Sequence, residues 1–146
     1  MSKPVHKRYI LFTVFKEKNR FLKYKLPALA FALFIFAVSS LPGDKIPYIG
    51  FNLGDKFIHM LVFGLFGIFL YRVFRYPRPL SRPYLLTLCV GIPYAALDEI
   101  HQLFVPGRYC GIGDFIADVL GVIIFAGISA KLNPLNNMPA VKDIRQ

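Results

Sequence analysis

Apolar residues along this chain neither alternate nor recur on a single helical stripe. They collect in four long blocks, at about residues 24–41, 57–74, 84–104 and 115–132. Each block approaches the roughly 17–25 residues that an α-helix needs to cross a bilayer, so the pattern predicts an all-α membrane protein with four transmembrane helices. The breaks agree with this division. Pro27 suits the first turn of a helix, and Pro42-Gly43 ends it. The stretch 75–83, which contains Pro77, Pro79 and Pro83, closes the second block and separates it from the third. Ala37-Val38-Ser39 has the small-residue form of a signal-peptidase site, but the basic leader before it is long for a signal peptide and argues for retention. The expected organisation is a basic leader at 1–25, a four-helix membrane unit at 26–132 and a tail at 133–146.

Composition supports the membrane class. Of the 146 residues, 55% are hydrophobic and only 18% charged, a balance more apolar than that of a soluble domain. Cys89 lies in an apolar block and Cys110 in a glycine-rich loop, so no disulfide framework is expected. The net charge of +10 is unevenly placed: of the 18 basic residues, only Lys45, Lys56 and Arg108 fall in the first and third connections. The rest lie in the leader, in the second connection (Arg72, Arg75, Arg78, Arg82) or near the tail, so the positive-inside rule puts both termini in the cytoplasm. Lysines beside a span anchor it to anionic lipid, so the expected partner is the bilayer and not nucleic acid. The apolar run at 9–15 fits a short interfacial segment.

Acidic residues show the opposite bias. Glu17 and Asp143 are on the cytoplasmic side, whereas Asp44, Asp55, Asp98, Glu99, Asp114 and Asp118 belong to outer loops or outer helix ends. In the third helix, Asp98 sits about 12 Å before the exit at Pro106-Gly107, at a rise of roughly 1.5 Å per residue. An ionisable group at that depth normally faces the interior of the bundle and marks function. At roughly 100° per residue, Tyr94, Ala95, Asp98, His101, Gln102 and Val105 share one side with Glu99 at its margin, while Ile100, Leu103 and Phe104 face lipid.

The second helix opens with Asp55 and Lys56, and His59 stands one turn on, where Asp55 can orient the imidazole. The fourth begins at Asp114, with Asp118 a turn deeper and Gly121 on the same face, where a missing side chain admits a neighbouring helix. Arg108 is the cation placed to fold back over these acids. Plainer readings stand beside the functional ones: Asp55 and Asp114 as helix caps, His59 as an interfacial histidine, and Gln102 as an i,i+4 partner of Asp98.

Several chemistries lack their signature. Gly111-Ile112-Gly113 has no third glycine and no preceding strand, so dinucleotide binding is unsupported. His59, His101, Asp98 and Glu99 could be gathered around an ion, but no ligand spacing requires it, so neither metal nor cofactor is expected. Ser39 and Ser40 end the first helix with no histidine near them in sequence to serve as a base.

Asp55-Lys56-Phe57-Ile58-His59, Asp98-Glu99-Ile100-His101-Gln102 with the following Arg108, and Asp114-x-x-x-Asp118-x-x-Gly121 together resemble the VanZ-like family of small bacterial membrane proteins. Ser39-Ser40 before Pro42 also looks like the family's first-helix ending, and the likeness covers about 26–132. One position departs from the pattern: Asp118 stands where the family usually has asparagine. The resemblance implies a multi-pass protein of the bacterial inner membrane. The namesake is associated with resistance to teicoplanin, a lipid-tailed glycopeptide that acts at the outer membrane face.

The leading expectation is a non-enzymatic protein whose outward site binds or shields a cell-envelope component or lipoglycopeptide. Its candidate ligand-binding residues are Asp55, Lys56, His59, Asp98, Glu99, His101, Gln102, Arg108, Asp114 and Asp118. The alternative is a membrane-embedded acid–base enzyme acting on an outer-leaflet lipid or lipid-linked glycan. An ion-coupled transporter draws on the same acids, but only Gly91 and Pro93 suggest an interrupted helix.

Overall fold

The computed structural model describes residues 19, 21–45, 54–76 and 80–133, and their regular structure is helical throughout. A π-helical turn, Phe21–Lys25, leads into α1 (Leu26–Ser39), and a 3-10 turn, Gly43–Lys45, follows. Then come α2 (Gly54–Arg75), α3 (Pro83–Gln102) and α4 (Ile112–Leu132). The run at 9–15 and nearly all of the leader and tail lie outside the described residues.

All four apolar blocks form helices, and among the described residues three stretches are long and apolar enough to cross a bilayer: Phe21–Ser39, Gly54–Arg75 and Ile112–Leu132. α3 has comparable length, but Asp98, Glu99, His101 and Gln102 crowd its last turns. It runs unbroken through Pro93, so the interruption weighed for a transporter is absent from this helix. α2 and α4 both start earlier than their apolar blocks, which puts Asp55 and Asp114 inside the first helical turn.

α2 and α4 make the most extensive pairing, α3 packs against both, and α1 lies against α2 and α3 at the outside. Lipid offers no hydrophobic drive between helices, so close approach depends on small residues and shape. Gly121 supplies this: a Cβ there would collide with the Met60 carbonyl of α2. Around that contact Phe63, Phe66, Leu70, Ala95 and Val122 form the buried core. The outer flanks remain apolar, with Leu65, Leu97, Ile124 and Ile128 exposed as lipid-facing positions would be.

α3 buries the face that its polar pattern predicts: Ala95, Asp98, Glu99 and Gln102 turn inward, and Ile100, Leu103 and Phe104 turn outward. α1 buries only Ala28, Ile35 and Ser39, and specific contacts secure it. The Tyr94 hydroxyl donates to the Ala32 carbonyl at 2.6 Å, and the Phe31 and Phe69 rings meet at 5.2 Å between centroids.

The two ends of the bundle are tied differently. At one end, α4 terminates at Asn133, whose carbonyl accepts from Arg75 Nε at 3.2 Å and from the Tyr71 hydroxyl at 3.3 Å. Arg75 is thereby a buried partner for the negative end of a helix dipole, besides adding to the basic connection. At the other end, Gly43 N–H donates to the Pro106 carbonyl at 3.0 Å and joins the two loops. Gly107 has φ +73°, a conformation that glycine adopts freely.

Candidate functional site

The loop-joined end collects polar side chains from all four helices, and they sort into neighbouring groups. The first centres on Asp98. Its Oδ1 accepts from the Ser39 hydroxyl at 2.6 Å and its Oδ2 from Gln102 Nε2 at 2.9 Å, so two neutral donors satisfy a buried carboxylate. Gln102 does what its i,i+4 spacing suggested. Ser39 is a contact that sequence spacing does not reveal, although a serine closing an otherwise apolar helix is the available hint.

The second group contains His59 of α2, Glu99 of α3 and Asp118 of α4. His59 Nδ1 lies 3.0 Å from Asp118 Oδ1. The expected Asp55–His59 pairing is therefore replaced by an interhelical one, because α2 turns His59 toward α4 and leaves Asp55 at the surface. One potential ligand atom from each of His59, Glu99 and Asp118 lies within 4.8 Å of the others. Glu99 Oε2 accepts the Gly111 N–H at 2.9 Å. Glu99 Oε1 and Asp118 Oδ2 are buried and have no hydrogen-bond partner among the described residues.

The third group forms the rim. Lys56 Nζ bridges Asp55 Oδ2 at 3.3 Å and Asp114 Oδ1 at 3.1 Å, and the Asp55 carboxylate also accepts the Lys56 backbone N–H at 2.8 Å. These pairs are half-exposed and add modest energy, but they tie the start of α2 to the start of α4.

His101 and Arg108 stand apart. His101 Nε2 lies 2.9 Å from Ser40 Oγ, so Ser40 has the histidine neighbour that its sequence context does not show. Ser40 is nevertheless not arranged as a nucleophile with its base. Its one hydroxyl hydrogen is directed to the Phe36 carbonyl at 2.6 Å, which makes His101 the donor in their contact. His101 also packs on Phe36, with ring centroids 4.6 Å apart. Arg108, expected over the acids, makes no ion pair with them among the described residues, and its Nε is buried without a hydrogen-bond partner there. Its backbone N–H closes a turn on the Val105 carbonyl at 3.2 Å, next to Gly107.

Desolvation, with the Glu99 carboxylate beside it, holds the Cys110 thiol above its usual range. Cys110 and Cys89 are both exposed free thiols.

The three polar helices thus meet, and Asp98, Glu99, Asp118 and His59 occupy the same end. Chemically the end offers carboxylate acceptors and an imidazole held by a carboxylate. No curated protein and no solved structure matches the chain. The VanZ/LLP1 family model matches residues 2–133, nearly the whole sequence, and the chain belongs to this VanZ-like family.

Proposed function

We propose that the protein is a four-span inner-membrane protein with both termini in the cytoplasm, whose polar end faces outward and binds the headgroup of a cell-envelope amphiphile. One observation carries this reading: Ser39, Ser40, His59, Asp98, Glu99 and Asp118 converge from four helices on one end of a bundle with apolar flanks. A scaffold surrounded by lipid does not need such a cluster, because buried polar groups cost energy unless partnered. In this reading Asp98, Glu99, Gln102 and His59 receive hydroxyl or amine donors, and Arg108 takes an anionic group. The exposed side chains of Phe104, Tyr109 and Ile112 lie against the acyl portion. Lys56, Asp55 and Asp114 shape the rim, and His101 positions the end of α1. Lipid-linked glycans and lipoglycopeptides such as teicoplanin both fit this chemistry.

A second reading, a membrane-embedded acid–base enzyme, is favoured by the His59–Asp118 pair, since a carboxylate that orients an imidazole is a common preparation for proton transfer. One experiment separates the two. Teicoplanin susceptibility and lipid composition are compared in a bacterial host carrying wild type, Asp98→Asn or Glu99→Gln at equal membrane abundance. Binding predicts a susceptibility change that is lost in both variants, with lipids unchanged. A lipid product that disappears in both variants selects the enzyme, and wild-type behaviour in all respects rejects both readings.

A further inference from the structure

We propose that His59, Glu99 and Asp118 form a binding site for one divalent transition-metal ion of the zinc class. The inference goes beyond headgroup recognition and stands or falls independently of it. Three helices each supply one residue, and the potential ligand atoms lie within 4.8 Å of one another. One edge of the triangle is already short, since His59 Nδ1 and Asp118 Oδ1 are 3.0 Å apart. Metal–ligand bonds of about 2.0–2.2 Å put ligand atoms roughly 3–3.6 Å apart, a spacing within reach of side-chain rotation.

A cluster of this kind proves nothing by its acidity alone. Here two oxygens within it lack partners. Glu99 is 3% exposed and Asp118 0%, yet Glu99 Oε1 and Asp118 Oδ2 have no hydrogen-bond donor among the described residues. Buried carboxylate oxygens are ordinarily satisfied, and orphaned ones mark a missing cation or donor. The charges agree as well. Neither Glu99 nor Asp118 has a Lys or Arg partner among the described ion pairs, whereas Asp55 and Asp114 at the rim share Lys56. Two carboxylates and a neutral imidazole offer a divalent cation the charge it needs. One nitrogen and two oxygens suit a borderline ion better than calcium, which takes six to eight oxygens.

Gly111 N–H donates to Glu99 Oε2, leaving Oε1 free to coordinate. Three protein ligands leave coordination positions open for water or a ligand, as in sites that polarise a bound group. In an otherwise apolar bundle, the ion would also cross-link α2, α3 and α4 at the end where their polar residues meet.

The test uses the full chain purified in detergent, stripped with chelator, and titrated with Zn2+ by calorimetry and with Co2+ by visible absorption. One equivalent bound, with tetrahedral or five-coordinate cobalt bands and a melting temperature raised by Zn2+, is expected for wild type. Glu99→Gln and Asp118→Asn should each weaken binding at least about 100-fold. Asp44→Asn, which removes an exposed carboxylate elsewhere, should bind like wild type. Failure of folded wild type to bind a stoichiometric ion overturns the proposal, as does equal binding by wild type, Glu99→Gln and Asp118→Asn.

Discussion

Asp98 is a buried acid satisfied by two neutral groups, a hydroxyl at 2.6 Å and an amide at 2.9 Å, with no cation in contact among the described residues. Removing either donor leaves an acceptor oxygen dry. Ser39→Ala should therefore cost about 1–3 kcal/mol in reversible unfolding from mixed micelles, the range for a buried group left unsatisfied. Tyr94→Phe deletes a donor whose acceptor, the Ala32 carbonyl, still has its place in a helix, so about 1 kcal/mol is expected from the same measurement. Cys110 gives a prediction of another kind. Desolvation and the adjacent Glu99 carboxylate hold its thiol in the protonated form, so maleimide should react slowly near neutrality and faster as pH rises past the ordinary thiol value, about 8.5. Glu99→Gln in metal-free protein removes a negative neighbour and should increase the neutral-pH rate. An unchanged rate would show that Glu99 does not act on this thiol.

Between elements, the narrowest margin is where α4 crosses α2. A side chain on Gly121 has nowhere to go but into the Met60 carbonyl, so Gly121→Val should force the helices apart and cost about 1–3 kcal/mol or more, read as loss of folded protein on heating in detergent. The glycine's role was legible in the sequence, because a small residue one turn below Asp118 already implied close approach. The polar face of α3 was legible too, since the 3.6-residue period alone separates Asp98 and Gln102 from Ile100 and Leu103. The partners across helices were not. Periodicity fixes which residues share a face but not how that face is rotated against its neighbours, so Asp55 was the natural partner for His59 although Asp118 holds that place. The Ser40–His101 contact joins residues 61 apart, and no local pattern encodes it. Arg108 shows the same limit: a loop cation near acids in sequence makes no ion pair with them among the described residues.

At the scale of the whole molecule, the proposed topology of four spans with cytoplasmic termini predicts different exposure for the two cysteines. Cys110 follows α3 at the polar end, and Cys89 lies on its exposed flank within the apolar stretch. A membrane-impermeant maleimide applied at alkaline pH to intact spheroplasts should label Cys110 in a Cys89→Ser variant, while Cys89 in a Cys110→Ser variant should stay unlabelled. Labelling of Cys110 only after the membrane is opened would invert the topology. The few contacts that secure α1 bear on how the molecule is made. Its hydrogen-bonding partners Asp98, His101 and Tyr94 stand 59, 61 and 62 residues later in the chain. At about 5–20 residues per second, several seconds of synthesis pass before those partners exist. During that interval α1 has only its contacts with α2, such as Phe31 on Phe69, and its outward-facing leucines and phenylalanines suit it to a lipid surround. The polar contacts that fix α1 to α3 can therefore form only after the end of α3 has been synthesised, later than the aromatic contact of α1 with α2.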